Sequence, residues 1–333
     1  MPKVDRSDIF SGIMAKAWAR LGVWERLSMV HSVFGFISLW IVPDLLLDKI
    51  GMGKNKTPNS TPKQVAKNIW QIEYWGYVNA TVIKGKDGTL LLHSAPVLQQ
   101  RTVEELAKLG PVGAIVIPNL AHDEFAHVWK EKFPEAKVYC PEALVEVRSQ
   151  KRGVVFFFLS FIACFAFPFV SSLFLLIFVI IVRFSLCPQE MGKGVSVEGS
   201  IEKSMDALEN YGFKSCMNCQ SWCAFDDCFL KVETETIEGK SATALISCCG
   251  VGNAPRSIFK PIEFFYGFLG LRIFRQFALV FTKDLKAARD FVNKMASIPE
   301  IDFVLFQHGQ PLRGEAANAH LKNVYISRSF FSY

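Results

Sequence analysis

A long uncharged apolar segment divides the chain and limits the folds that it can adopt. Residues 154–182 (VVFFFLSFIACFAFPFVSSLFLLIFVIIV) contain no Asp, Glu, Lys or Arg. A helix of about 20 apolar residues is enough to cross the hydrocarbon core of a bilayer, whereas a buried helix of a globular domain is rarely apolar on every side. We therefore expect residues 151–190 to form a membrane-inserted segment.

A second uncharged run, residues 27–43, is shorter and lies near the N-terminus. It either spans the membrane or lies in the interface, where Trp18, Trp24 and Trp40 would serve as anchors. We assign residues 1–47 to an N-terminal membrane-associated helical segment. We expect it to be retained, because its start resembles neither a signal peptide nor a transit peptide. Basic residues that suit anionic headgroups flank both runs: Lys16, Arg20, Arg26, Lys151, Arg152 and Arg183.

The remaining sequence predicts an α/β domain in two halves. Residues 48–69 are polar and rich in Lys, Asn and Pro, a composition typical of a linker. Residues 70–150 form the first half, and residues 191–333 form the second. Each half mixes predicted helices with predicted strands, the pattern of a layered α/β domain.

Local patterns predict the elements of each half. Asp87-Gly88 between two β-prone runs predicts a hairpin. Thr102 with Glu105 predicts a capping box at the start of a helix, which Gly110-Pro111 ends. Further helices are predicted over residues 123–132, 200–210 and 283–295, and strands over residues 113–117, 137–140, 228–233, 243–249 and 302–307.

The chain contains nine cysteines, an odd number, and we expect free thiols that face the cytosol. Four of them are clustered: Cys216, Cys219, Cys223 and Cys228. The first two have the spacing of a zinc knuckle, but no second pair follows at the usual distance and no His lies nearby. The cluster is either a weak candidate for a zinc or iron–sulfur site or a set of unpaired thiols in a loop and strand.

Three stretches together resemble an uncharacterised family of metallo-β-lactamase-like proteins. They are NATVIKGKDGTLLLHSAPV (residues 79–97), LGPVGAIVIPNLAHDEFAHVWKEKFPEAKVYCPE (residues 109–142) and IDFVLFQHGQPLRG (residues 301–314). The most specific element is Pro118-Asn119 followed by His122 and, farther on, Trp129. The resemblance implies a four-layer αβ/βα sandwich with the active site along the edge where strand-end loops converge.

The same resemblance implies that the dinuclear metal motif is degenerate. Active members of the superfamily have His-x-His-x-Asp-His after a buried strand, and here Asn119, Ala121, Asp123 and Glu124 stand at those four positions. The bridging Asp of a later strand falls near Cys248. Asp123 and His308 are therefore the two candidates that keep their residue type. A single atypical ion would have to draw on the set Asn119, His122, Asp123, Cys248 and His308. We expect no cofactor, with zinc as the alternative.

Two more histidines lie close to this loop in the predicted layout. His93 ends the first hairpin and could point toward the same edge. If residues 123–132 form a helix, Asp123 and His127 share one face. That pair suits a surface or capping interaction as well as it suits catalysis.

The position of the apolar segment sets a condition on membrane topology. If both halves belong to one sandwich, the chain must leave and re-enter on the same side of the membrane. Pro168 lies almost at the centre of residues 154–182, and proline breaks helical hydrogen bonding, so two short helices in a hairpin would satisfy the condition. A plain span is the competing hypothesis, and it would contradict the resemblance.

Three functional hypotheses follow. The first is a membrane-anchored domain that has lost dinuclear hydrolysis and acts by binding or assembly. The second is a hydrolase of esters, thioesters or phosphoesters that uses Asp123 and His308, and the third is a subunit of a membrane complex. The expected partners are the lipid bilayer and either a membrane complex or a hydrophobic ligand, with the domain on the cytoplasmic face. No basic-aromatic motif indicates nucleic acid.

Overall fold

The structure is a computed structural model, and it describes most of the two predicted halves. The described residues are 16, 19–23, 25–26, 59–74, 78–119, 122–123, 125–142, 144–145, 195–219, 221–223, 227–254, 270–273, 277–299, 301–314 and 316–326. The predicted membrane segments, residues 27–43 and 151–190, lie outside them. Among the residues described, no helix has both the length and the apolar character needed to cross a bilayer.

The first sheet contains seven strands in the order in which they occur along the chain. They are β1 (Lys63–Ala66), β2 (Ile69–Tyr74), β3 (Val78–Lys84), β4 (Leu90–His93), β5 (Val112–Val116), β6 (Lys137–Cys140) and β7 (Gly199–Ser200). Strands β1 to β4 pair antiparallel, and β4 to β7 pair parallel. The hairpin predicted at Asp87-Gly88 is confirmed, and Gly88 supplies the positive φ of 84° that the turn needs.

Strand β1 and the first residue of β2 fall in residues 48–69, which the sequence composition assigns to a linker. Ala66 and Ile69 are fully buried. The structured part also reaches back to Asn59, whose side-chain amide donates to Val97 O at 2.8 Å and to Thr102 Oγ1 at 2.9 Å. Composition alone hides strand β1, because the exposed Lys63 and Gln64 directly precede the buried Val65 and Ala66.

The second sheet has five strands in the order β14-β13-β10-β9-β8, and a third sheet has the order β11-β12-β15. The strands are β8 (Phe213–Asn218), β9 (Cys228–Glu235), β10 (Ser241–Ser247), β11 (Gly252–Ala254), β12 (Gly270–Ile273), β13 (Phe303–Phe306), β14 (Leu312–Arg313) and β15 (Tyr325–Ile326). Strand β10 pairs parallel with β13 and antiparallel with β9, so the second sheet is mixed like the first.

Successive buried residues of the strands belong alternately to two apolar clusters, which shows that the two large sheets pack face to face. Leu91 of β4 and Val116 of β5 share one apolar cluster with Leu230 of β9 and Ile246 of β10. Their strand neighbours, such as Leu92, belong to a second cluster on the outer faces. Since successive side chains of a strand point to opposite faces, the first cluster is the layer between the sheets. The fold is an α/β sandwich of two mixed sheets.

Helices pack against the outer faces of the sheets, except for the short helix Met205–Leu208, whose Leu208 belongs to the layer between the sheets. They are α1 (Gln100–Ala107), α2 (Ala126–Lys132), α3 (Met205–Leu208) with a 3-10 turn at Glu209–Tyr211, α4 (Leu285–Ala296) and α5 (Ala316–Lys322), with a π-helical turn at Phe277–Phe281. On the first sheet's side, the indole of Trp129 in α2 is fully buried and donates to Pro96 O at 2.7 Å. On the second sheet's side, Phe291 of α4 packs against Phe229 of β9 with ring centroids 5.2 Å apart.

Three of the predicted helix starts were wrong. Helix α1 begins at Gln100, so Thr102 lies inside it and binds Asn59, and no capping box forms. Helix α2 begins at Ala126, which leaves Asp123 in the preceding turn and separates it from the face of His127. The helix predicted over residues 200–210 shrinks to α3 and its 3-10 turn, because Ser200 is paired in β7. Helix α4 confirms the prediction over residues 283–295.

Candidate functional site

Three loops converge where neighbouring strands end. Asn119 and His122 follow β5, Cys248 and Cys249 follow β10, and His308 follows β13. Strands β10 and β13 run parallel with Ser247 opposite Phe306, so the loops that leave them start side by side. The backbone N–H of Gln307 donates to Ser247 O at 3.2 Å and ties the two loops together at their origin. The three loops that carry these residues therefore lie at one edge of the fold.

The centre of the site is a cysteine flanked by two imidazoles. Cys249 Sγ lies 2.9 Å from His122 Nε2 and 3.5 Å from His308 Nε2. The two Nε2 atoms lie 3.3 Å from each other. Cys249 is 8% exposed and both imidazoles are only partly buried. A small ligand can therefore approach the cluster from solvent.

A buried polar network supports the cluster from beneath. The side-chain amide of Asn119 donates to Asp227 Oδ1 at 3.1 Å and to Cys248 Sγ at 3.1 Å, and its oxygen accepts from the His122 N–H at 3.2 Å. Asp227 Oδ2 accepts from the Gly250 N–H at 2.6 Å. The Cys248 thiol also contacts Gln307 Oε1. Because a buried polar group is costly when unpaired, this network fixes the loops relative to one another.

The network shifts the ionisation of two groups in opposite senses. Burial and, to a smaller extent, the nearby charge of Cys249 raise the pKa of Asp227 to about 7. Burial also raises the pKa of the Cys249 thiol, but the hydrogen bond from Cys248, the charge of His122 and hydrogen bonds to both imidazoles outweigh it. The pKa of Cys249 therefore lies well below its ordinary value, and the site favours a thiolate.

His93, at the end of β4, lies behind this edge and not in the open cluster. Its side chain is 1% exposed, and within the described residues its Nε2 atom has no hydrogen-bond partner. Burial and, to a smaller extent, the charge of His122 lower the pKa of His93 to about 3. His93 is therefore neutral at physiological pH and is a structural residue of the core.

The donor set fits one transition-metal ion. His122, Cys248 and Cys249 offer three donor atoms that all lie within 4.8 Å of one another, and His308 Nε2 lies beside two of them. Thiolate and imidazole are ligands that zinc accepts readily. The set does not fit the dinuclear centre that the sequence resemblance implies in active members, because the amide nitrogen of Asn119 donates to Asp227 and Cys248 at the first ligand position.

The structure brings together four of the five metal candidates from the sequence. Asn119, His122, Cys248 and His308 meet at this edge, although Asn119 acts through hydrogen bonds. Asp123 lies in the turn before α2, and among the described residues it belongs to no group of three converging donor atoms. Of the aligned motif positions, Ala121 and Glu124 lie outside the described residues.

Sequence reasoning missed Cys249 and Asp227. Strand β10 was predicted to continue to residue 249, but it ends at Ser247, so both cysteines lie in the loop and Cys249 meets the histidines. Asp227 is fully buried although it is an acidic residue directly before a strand. The adjacent pair Cys248-Cys249 after a buried strand was a usable signal. For Asp227 the sequence offered none, since the buried partners come from distant loops.

The four clustered cysteines do not assemble into a metal site among the described residues. Their sulfur atoms are absent from the groups of three donors within 4.8 Å among the described residues, and none of the four forms a disulfide there. Cys216 and Cys228, on adjacent strands β8 and β9, share a hydrogen bond that contributes to the raised pKa of Cys228. Within the part of the chain that the structure describes, the cluster therefore offers no preformed set of metal ligands.

No family model matches the chain, and no curated protein matches it. Among solved structures it is distantly similar to a metallo-β-lactamase from Pontibacter korlensis, with 9% identity and a TM-score of 0.37 over 80% of this chain and 98% of the other. It is similar to a crystal structure of VMB-1 with 11% identity and a TM-score of 0.40 over 80% of this chain and 95% of the other. Likenesses this low do not decide the family, the metal or the activity of this chain.

Proposed function

We propose that this chain is a metallo-β-lactamase-like protein that has lost dinuclear hydrolysis and binds one transition-metal ion at its converging loops. The observation that supports this proposal is the convergence of Cys249 Sγ, His122 Nε2 and His308 Nε2 within 3.5 Å of one another. Cys248 Sγ lies within 4.8 Å of the His122 and Cys249 donor atoms, but the Asn119 amide holds its thiol, which leaves a fourth position on the ion for water. A bound zinc ion would supply Lewis acidity or lower the pKa of a bound water.

The residues around the cluster suit the holding of one ion better than two. The Asn119 amide donates to Asp227, and Asp227 also accepts from the Gly250 N–H. Either side chain could therefore bind a second ion only if a buried hydrogen bond were broken. The Asn119 oxygen orients the His122 loop through its backbone N–H. Such outer residues fix the ligand geometry of a metal site.

A second candidate function is hydrolysis at the same ion. Three protein ligands with a fourth position open to water are typical of catalytic zinc sites, whereas closed sets of four are typical of structural sites. The partial exposure of His122 and His308 favours the open arrangement. Asp123, the acid that the sequence suggested for this role, lies in the turn that follows the His122 loop.

We also propose that the domain acts at a membrane surface, as the uncharged residues 154–182 and 27–43 predict. Leu21 is 3% exposed and belongs to the apolar cluster of the domain, and Arg20 donates to Leu279 O at 3.3 Å. The chain just before the N-terminal apolar run is therefore docked on the domain. A membrane complex or a hydrophobic ligand would then be the partner.

The deciding experiment is metal analysis of the full-length protein purified in detergent. We expect about one zinc per chain, lost on His308→Ala and on Cys249→Ser, and retained by His320→Ala, whose imidazole lies on the exposed end of α5. Cobalt substitution adds an optical test, because a thiolate ligand gives a near-ultraviolet charge-transfer band that Cys249→Ser should remove. Two ions per chain, or an ion that survives loss of both ligands, would refute the proposal.

Hydrolysis is then tested on the zinc-loaded protein with ester, thioester and phosphoester substrates. Turnover that requires zinc and disappears in His308→Ala would establish the second candidate. Stoichiometric zinc without turnover on any of the three would leave binding as the function.

A further inference from the structure

Cys248 and Cys249 form a pair of adjacent thiols directly after β10. Both are free, their sulfur atoms lie within 4.8 Å of each other, and a hydrogen bond joins the two side chains. We propose that this vicinal pair is a redox modification site, at which a hydroperoxide oxidises Cys249 and Cys248 then forms a disulfide with it.

The two thiols differ in their surroundings, and this difference assigns their roles. Cys249 is 8% exposed and lies beside the partly buried His122 and His308, so a small peroxide reaches it from solvent. Cys248 is fully buried and is held by the Asn119 amide at 3.1 Å. Cys249 is therefore the thiol that peroxide attacks, and Cys248 is the thiol that resolves the product.

The chemistry balances with one peroxide per disulfide. The Cys249 sulfur attacks the O–O bond, takes one oxygen as a sulfenic acid and is oxidised by two electrons, while the other oxygen leaves as hydroxide and becomes water with a solvent proton. The Cys248 sulfur then attacks the Cys249 sulfur. The new S–S bond forms as the S–O bond breaks, and the sulfenic oxygen leaves as a second water that takes the Cys248 proton.

Geometry makes the product reversible. Adjacent Cα atoms are about 3.8 Å apart, shorter than the roughly 4.4–6.8 Å that disulfides usually bridge. A disulfide between neighbours is therefore strained, and strained disulfides are the ones that thiol reductants open readily. The pair would form a disulfide on exposure to peroxide and would return to two thiols when a thiol reductant is present.

The modification involves the sulfur atoms of the proposed metal site but does not depend on the ion. Oxidation would remove Cys249 as a thiolate ligand, and a bound ion would shield it. The test therefore uses chelator-treated protein. The disulfide can be measured in it even if the metal proposal is wrong.

The experiment treats reduced, metal-free, full-length protein in detergent with hydrogen peroxide, alkylates the remaining thiols and digests with trypsin. Residues 241–256 form one tryptic peptide whose only cysteines are Cys248 and Cys249. We expect most of this peptide to lack alkyl groups and to be two hydrogen masses lighter. Dithiothreitol before alkylation should restore the doubly alkylated form.

Two variants separate the roles of the thiols. Cys248→Ser should leave Cys249 without a resolving partner, so that it accumulates sulfinic acid, and Cys249→Ser should leave Cys248 reduced and available for alkylation after unfolding. The wild-type measurement needs neither variant to fold. Three results with peroxide-treated wild type would overturn the proposal. The first is recovery of the doubly alkylated peptide, and the second is sulfinic acid at Cys249 although Cys248 is present. The third is a disulfide between Cys249 and a cysteine other than Cys248.

Discussion

The Nε2 atoms of His122 and His308 lie 3.3 Å apart, although 186 positions separate the two residues in the chain. Their rings are tilted by 57° with centroids 5.1 Å apart, so the pair meets through its nitrogens and does not stack. Two imidazole nitrogens at this distance can bind one metal ion together, with the Cys249 sulfur beside them as a further ligand.

Zinc should stabilise the folded chain through this site. Binding to the native state adds about 2.7 kcal/mol when free zinc exceeds the dissociation constant 100-fold. We expect a higher melting temperature for the chelator-treated protein after zinc is added back, and no increase for Cys249→Ser. Differential scanning fluorimetry measures the shift, and His320→Ala serves as the matched control. An equal shift in Cys249→Ser would place the ion elsewhere.

Replacing Asn119 by Ala should weaken both the fold and the metal site. Asp227 and Cys248 would lose a buried donor, at a cost of about 1–3 kcal/mol in the free energy of unfolding. The His122 loop would lose the acceptor that orients it, which lowers metal affinity by roughly 10–100-fold.

Chemical denaturation and zinc titration check these two effects separately. Asn323→Ala is the matched control, because the Asn323 side chain donates to Ala319 O at the surface. It should leave both quantities within error. An Asn119→Ala protein with unchanged zinc affinity would show that the network does not position the ligands.

The buried His93 should make the folded chain sensitive to mild acid. Its pKa falls from 6.5 in the unfolded chain to about 3 in the folded one, so the unfolded state binds more protons between those values. This contribution to stability is complete above pH 6.5 and is lost progressively below it. At pH 5 the loss is about 2 kcal/mol, at roughly 1.4 kcal/mol for each pH unit.

Asp227 has the opposite effect on the free energy of unfolding. Its raised pKa stabilises the folded state at low pH, and this stabilisation is lost as the pH rises toward about 7. The two effects are separated by comparing wild type with His93→Leu in urea at pH 7.5 and pH 5. The difference in unfolding free energy between the two proteins should move by about 2 kcal/mol in favour of the variant at pH 5. A difference independent of pH would show that His93 is already protonated or solvated in the fold.

The stability of helix α4 should depend on Asp284, the residue directly before the helix. Asp284 caps the helix by accepting from the Lys286 and Ala287 backbone N–H groups at 2.8 Å and 3.0 Å. Asp284→Ala should therefore lower the free energy of unfolding by about 1 kcal/mol. Asp290→Ala, an exposed acid within the same helix, tests whether loss of charge alone explains the effect and should cost much less. Equal losses in the two variants would exclude capping as the cause.

The sequence predicted the elements whose patterns are local. The hairpin at Asp87-Gly88, the strand Lys137–Cys140 and helix α4 each carry their own turn, alternation or amphipathic signal, and the structure confirms them. Strand β1 was assigned to a linker because its exposed Lys63 and Gln64 look like loop residues until the partner strand is known, and β2 was left out of the predicted hairpin. Thr102 was misplaced because its partner, Asn59, lies 43 positions away.

The candidate site was predictable in position but not in composition. The order of strands placed Asn119, His122 and His308 at one edge. Which of two adjacent cysteines faces the histidines depends on the residue at which β10 ends, and strand ends are decided by pairing with β9 and β13. Asp227 became part of the site through hydrogen bonds to Asn119 and Gly250, which come from two other loops.

If residues 154–182 insert into a membrane as we propose, they should enter and leave it on one side. The chain before them ends in β6 and the chain after them begins with β7, and these strands pair in the same sheet, with Tyr139 opposite Gly199 and Cys140 opposite Ser200. Leu144 and Val195, close to either end of the insertion, belong to one apolar cluster. A domain whose two halves share a sheet and a core cannot be divided by a bilayer, because each half would expose unpaired backbone groups and apolar surface.

Accessibility tags at residues 150 and 193 of the full chain, probed with a membrane-impermeant reagent before and after permeabilisation, should therefore report the same compartment. A tag within residues 27–43 that resists the reagent would calibrate protection by the bilayer, and opposite compartments for residues 150 and 193 would refute the one-sided insertion.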